Sequence, residues 1–294
     1  MIFTLKNKII FLSGFLIFVC DYVHAVDYQM VRLTSSCHDC DYIPKVAGAG
    51  QVFTDGPLSY QLMHNGVKVL KDCYSNDPEM MAEIIKRLQG HHEPQEEKVF
   101  FEVLKNMPIG AVMIELGSWW AYYSMWFNKV VKNATNYMIE PTPSLLAIGR
   151  KNFELNNMMG VFVNVFVGST SATHVSFTDW FNKKVLLDCI CIDDFIAAYN
   201  IPFVHILHSD IQGAEYDMLL GAQKSIISHK VGYVFLSTHG NKMHEKCLHF
   251  LYDHNFKIVA AHTQKESYSF DGLIVAKSEN IVGIETVSIS KRPA

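Results

Sequence analysis

The chain is 294 residues long, 49% hydrophobic and 18% charged, with a formal net charge of −4. That length allows one domain with a full core and an appendage. The mild acidic balance leaves no basic footprint for a nucleic-acid backbone, so no nucleic-acid partner is expected.

In chain order, Lys6 and Lys8 precede the uncharged run IIFLSGFLIFVC (9–20), and Val23 and Ala25 fit the small-residue rule of a signal-peptidase site. The run falls short of the about 20 residues that a bilayer-spanning helix needs. Residues 1–25 therefore read as a signal peptide or short N-terminal membrane anchor, which predicts a membrane-anchored or secretory protein with N-terminal membrane contact. The alternative is an apolar N-terminal helix docked on the domain, and a cytoplasmic location. Residues 26–97 form an N-terminal extension. Its first part (26–75) carries turn signals and little periodicity, and reads as irregular or β-rich. Cys37 and Cys40 have C-x-x-C spacing, which supplies at most two ligands of a zinc site, so a local disulfide or two plain thiols is expected.

DPEMMAEIIKRLQG (77–90) reads as a helix, with Asp77 as cap, Pro78 in the first turn and Gly90 as stop. HHEPQEEKVFFEVLKN (91–106) reads as a second, with acids in its first turn and Val99, Phe100, Val103 and Leu104 on one face. His91, His92 and the neighbouring acids are spaced too closely for one helical face, so they read as an acidic helix start and no metal is expected. The segment is a candidate cap over a substrate pocket.

From residue 111, short apolar runs alternate with helical segments (121–133, 143–156, 214–228, 243–254), the pattern of βαβ units and a largely parallel sheet. Cys189 and Cys191 alternate in an apolar stretch as small core residues. Ligands of such sheets bind beyond the carboxyl ends of strands. AVMIELGSWWA (111–121) is a buried strand turning into a helix, with Glu115 where a dinucleotide motif has its first glycine. A carboxylate there repels a pyrophosphate and favours a cation such as the sulfonium and amino group of S-adenosylmethionine. Gly117 and Ala121 take the tight positions and Trp119 and Trp120 lie between them. The alternative is an aromatic strand–helix corner. Glu140 ends the next strand, where a carboxylate accepts ribose hydroxyls, unless it is a capping acid. Asp210 ends a further strand on the same edge, followed by Gly213, Ala214 and Glu215.

The blocks MIELGSWWAYYS, YMIEPTPSLLAIGRKNFELNN, CIDDFIAAYNIP and SDIQGAEYDMLLGA resemble the FkbM-type family of S-adenosylmethionine-dependent methyltransferases over residues 98–280. The resemblance implies an α/β, Rossmann-like class I methyltransferase sheet of seven strands, mostly parallel with the last antiparallel, followed by a C-terminal tail (281–294). It implies methyl transfer, usually to oxygen, on a sugar or other small hydroxylated acceptor. Glu115, Gly117, Ser118 and Ala121 would hold the methionine part of the cofactor and Glu140 the ribose. Val167, Gly168 and Ser169 would lie near adenine, and Asp210 between cofactor and substrate. Trp119 and Trp120 depart from the small or polar residues usual in that loop, Gln212 from glutamate and His208 from lysine. Asp210 is the first candidate base and His239 the second, with His208 and Glu215 on the substrate side orienting either. The alternative function is a non-catalytic Rossmann-like module that binds a nucleotide or a partner.

Overall fold

The computed structural model describes residues 28–71, 78–179 and 181–293. The leader segment and the Asp77 cap lie outside the described residues. Among those residues, no helix is long and apolar enough to cross a membrane.

Helical residues 28–35 (α1) lead through turns into a small antiparallel sheet of β1 (Val52–Asp55), β2 (Leu58–Leu62) and β3 (Lys68–Leu70). Two helices follow, α2 (Pro78–Arg87) and α3 (Pro94–Leu104). Each has proline at its start, where the missing N–H costs no hydrogen bond.

The main sheet has seven strands in the order β12-β13-β11-β10-β4-β5-β6. They are β4 (Val112–Leu116), β5 (Thr135–Ile139), β6 (Val161–Val163), β10 (Val204–Ser209), β11 (Val231–Thr238), β12 (Phe256–His262) and β13 (Gly272–Ser278). Neighbours from β11 to β6 pair in parallel, and β13 runs antiparallel to both β11 and β12. This is the sheet that the family resemblance implies. Alternate residues serve opposite faces, as a strand's period of two requires. Met113, Ile206 and Phe235 join one core with Phe100, Trp126 and Phe127. Ile114, Leu207 and Val234 join the other with Phe195, Met218 and Leu251. The covering helices are α4 (Tyr122–Val130), α5 (Pro143–Leu155), α6 (Ile192–Ala198), α7 (Glu215–Gly221), α8 (Gln223–Ile227) and α9 (Asn241–Asp253). The single helix expected over 214–228 is thus two.

Three features differ from the sequence reading or go beyond it. The run VFVNVFV divides at Asn164, whose amide donates to the carbonyls of Glu140 and Pro141. Its second part, β7 (Phe166–Val167), belongs to another sheet with β8 (Ala172–Thr178) and β9 (Lys184–Ile190). The N-terminal extension shares the core of the main sheet, since Ile43, Met63, Val67 and Val69 cluster with Met113 and Val275. Asn152 on α5 and Asn156 just after it also hydrogen-bond the backbone of Leu70 and Lys68 on β3. Cys37 and Cys40 are buried free thiols.

Candidate functional site

The turn after β4 is built on left-handed backbone. Gly117 (φ +70°), Trp119 (φ +37°) and Ala121 (φ +59°) all have positive φ. The tryptophans therefore do not lie clear of the tight positions, because Trp119 occupies one. A bulky residue held there stores strain of about 1–3 kcal/mol, typical of a functional turn. The reason is crowding: Gly117 backs onto the carbonyl of Asp210 after β10, and Gly149 on α5 packs against Trp119 O and Ala121.

Two cavities open at this rim. The first, about 490 Å³, is lined by Glu140, Thr142, Phe166, Val167, Phe177 and Asp179 among others. The second, about 370 Å³, is lined by Met80, His92, Glu93, Glu115, Ser118, Trp120, Tyr123, His208, Phe270 and Asp271 among others. Gly117, Trp119, Asp210 and Gln212 border both. The three acids expected on one rim are therefore brought together.

Glu140 is buried, and its carboxylate accepts the N–H of Thr142 (2.8 Å) and of Trp119 (3.3 Å). Each oxygen keeps a lone pair for a further donor. Glu115 accepts the Ser124 N–H (3.1 Å) at the start of α4. Burial pushes both carboxyls above their ordinary range. Ser118 Oγ and Trp119 Nε1 are buried without a hydrogen-bond partner among the described residues, so two donors remain for a ligand.

Asp210 and His239 meet as the sequence suggested, and Asp271 joins them. His239 Nδ1 lies 2.7 Å from Glu215 Oε1. Its Nε2 lies 3.5 Å from Asp210 Oδ1 and 3.3 Å from Asp271 Oδ1. Burial pushes Asp210 up to about 8, with Asp271, Glu93 and Glu96 adding repulsion and His239 opposing. Burial likewise raises Asp271 to about 6. Burial alone would lower His239, but Glu215, Asp210 and Asp271 outweigh it and raise it to about 9. Such a set exchanges protons as a unit.

Other expected residues are placed differently. Glu215 lines neither cavity; it is fully buried, held by His239 and the Gly213 N–H (3.0 Å), so it positions the histidine and does not meet substrate directly. His208 lines the second cavity and its Nε2 is 2.7 Å from Glu96 Oε1. Ala121 is buried behind the turn. Of the three residues expected near adenine, Val167 lines the first cavity, beside Phe166 and Phe177, whereas Gly168 and Ser169 do not and pack against Gly221 at the end of α7.

The histidines and acids before α3 form a buried network. The Glu97 carboxylate accepts the N–H of His92 (2.7 Å) and Glu93 (3.2 Å), pairs with His91 Nδ1, and accepts the Tyr122 hydroxyl (3.3 Å). His92 lies between Glu97 (2.8 Å) and Glu93 (3.2 Å). Helical spacing does not reveal this network, because the turn before α3 folds His91 and His92 back onto Glu97 and Tyr122 joins from α4. Asp271 was missed for a similar reason: it sits in a short D-G turn outside every recognisable block.

A family model described as the methyltransferase FkbM domain matches residues 105–258. No curated protein matches the chain. Among solved structures, the chain is similar to a precorrin-6y C5,15-methyltransferase from Geobacter metallireducens GS-15 (14% identity, TM-score 0.39), covering 61% of this chain and 87% of that one. It is also similar to M. capricolum TrmK in complex with S-adenosylhomocysteine (14%, 0.41, 65% and 74%). A third is a ribosomal protein L11 methylase from Lactobacillus delbrueckii subsp. bulgaricus (12%, 0.38, 65% and 82%).

Proposed function

The chain belongs to the FkbM methyltransferase family, and from that premise we propose that it transfers a methyl group from S-adenosylmethionine to a hydroxyl oxygen of a small polyhydroxylated acceptor such as a sugar. The observation that carries this reading is the pair of cavities meeting at Gly117 and Asp210. Adenosine fits the first: Glu140 accepts ribose hydroxyls, and Phe166, Val167 and Phe177 pack on adenine. The turn at Gly117 lets the methionine half cross to the second, where Glu115 and Asp210 favour its positive charge. The second cavity pairs aromatic surface (Trp120, Tyr123, Phe270) with carboxylates and has no lysine or arginine in its lining. That lining suits a compact acceptor with hydroxyl groups and disfavours a phosphate backbone.

The donor methyl is already activated, so the protein's task is to hold the acceptor oxygen about 3 Å from it, in line with the sulfur. The hydroxyl proton passes to the Asp210–His239–Asp271 set, the new O–C bond forms, the C–S bond breaks, and S-adenosylhomocysteine remains. His239 itself lines neither cavity; Glu215 holds its Nδ1, which leaves Nε2 beside the Asp210 and Asp271 carboxylates.

Calorimetric titration of the full chain with S-adenosylmethionine and with NAD tests the reading. Binding of the first, not the second, is expected, and Glu140→Ala is expected to weaken it by tenfold or more. Binding of NAD alone, or of neither, refutes it.

A further inference from the structure

We propose that Asp210, His239 and Asp271 form a binding site for a divalent cation of the Mg²⁺ or Mn²⁺ type. The sequence led to an expectation of no metal, because the visible His and acid cluster lay elsewhere. These three residues come from separate strand ends: Asp210 follows β10, His239 follows β11 and Asp271 precedes β13. One ligand atom from each lies within 4.8 Å of the others.

The histidine geometry is the deciding observation. If His239 were only a counter-ion, its Nε2–H would sit at hydrogen-bond distance, about 2.7–2.9 Å, from one carboxylate. Instead Nε2 stands off from both, at 3.5 and 3.3 Å, and is buried with no hydrogen-bond partner among the described residues. It stands at nearly equal distances from the two carboxylates and is hydrogen-bonded to neither. Adjacent ligands of an octahedral Mg²⁺, each about 2.1 Å from the ion, are about 3.0 Å apart. The two Nε2 separations are close to that spacing and need only a small contraction, and the Asp210 and Asp271 oxygens lie within 4.8 Å of each other. Glu215, fully buried, accepts from Nδ1 and fixes the ring, so that an ion displacing the Nε2 proton meets its lone pair, the usual outer support of a metal-binding imidazole.

Charge favours the same conclusion. Glu93 and Glu115 share the cavity lining with Asp210 and Asp271, and the lining contains no lysine or arginine. His92 and His208 there are already paired, with Glu93 and Glu97 and with Glu96. Two carboxylate oxygens and one imidazole are a mixed donor set that accommodates an ion such as Mn²⁺ with open positions left over.

On the methyl-transfer reading, on which this role rests, adjacent hydroxyls of the acceptor fill open positions on the ion. The bound hydroxyl becomes more acidic. Its proton goes to the oxygen of Asp271 that is not on the ion, while the alkoxide oxygen takes the methyl and the C–S bond breaks. His239 is then a ligand and not the base.

The test is a titration of Mn²⁺ into EDTA-treated full-length protein, read by loss of the free Mn²⁺ paramagnetic resonance signal, with no cofactor present. One site per chain is expected. Asp271→Asn and His239→Gln, each with a melting curve like the parent, are expected to weaken it at least tenfold, and Glu140→Ala to leave it unchanged. No saturable binding at millimolar Mn²⁺, or binding that ignores both substitutions, overturns the proposal. A protein that binds S-adenosylmethionine and transfers methyl in EDTA refutes the ion's part in the reaction. One that binds Mn²⁺ but not S-adenosylmethionine refutes the methyl-transfer reading alone.

Discussion

Replacing Gly117 by alanine is expected to damage fold and site together. A Cβ at this position would stand 1.8 Å from the Asp210 carbonyl oxygen and 2.8 Å from its carbon, and the backbone is at φ +70°. The obstacle is main chain, so no rotamer change relieves it. The Asp210 N–H donates to Leu116 O (3.0 Å), so moving that segment also strains the β4–β10 join. The left-handed backbone contributes about 1 kcal/mol and the overpacking about 1–3 kcal/mol, a total loss of about 2–4 kcal/mol. Gly110→Ala separates the two contributions, because Gly110 has φ +77° with open space where its Cβ would lie. It is expected to lose only about 1 kcal/mol. Urea denaturation of both variants at constant m gives the difference, and calorimetry with S-adenosylmethionine reports the displaced Asp210. Equal stability losses in the two variants, with cofactor affinity intact, would refute the claim that these strand ends meet at Gly117.

Glu97→Ala leaves His91, His92 and the Tyr122 hydroxyl without their common acceptor in a fully buried place. A loss of about 3–5 kcal/mol in denaturant unfolding is expected, and a loss under about 1 kcal/mol would contradict the network. Stability should also fall as pH rises. Burial alone would lower His92, but Glu93 and Glu97 raise it to about 10. The unfolded chain releases this proton near 6.5 and the folded one keeps it, so the stabilisation is complete below 6.5 and declines as pH approaches 10. The slope is about 1.4 kcal/mol per pH unit. Urea midpoints at pH 7, 8 and 9 should fall in sequence and fall less in His92→Gln; a flat profile in the parent counts against the pairing.

The sheet was legible because its strands are buried on both faces and read as unbroken apolar runs, such as VMIEL and VGYVFLST. The β8–β9 hairpin was not, because most of its residues face solvent and ATHVSFT has no apolar run. Glu115, Glu140 and Asp210 were legible for a topological reason: parallel strands that end together bring their final residues to one edge. Local pattern cannot see partners joined only by the fold. His208 meets Glu96, which precedes it by 112 residues, and Asp271 reaches His239 across two neighbouring strand ends.

The two cavities also draw on different parts of the chain. The residues around the first all lie between Gly117 and Ala214, within the family-matched stretch. The second adds Met80, Met81, His92 and Glu93 from α2 and the turn before α3, and Phe270 and Asp271 from the turn before β13. The Glu97 network holds that N-terminal turn rigidly, while Glu96 ties α3 to His208 on β10 and Ser237 on β11. Side chains locked in this way present a wall of fixed shape. Substitutions at Met80 or Met81 should therefore change which acceptor is methylated and leave cofactor affinity alone. Parallel titrations with S-adenosylmethionine and competition among acceptors would measure the two effects separately. A Met81→Ala variant that loses cofactor affinity while keeping the same acceptor preference would show that the division between the cavities is not functional.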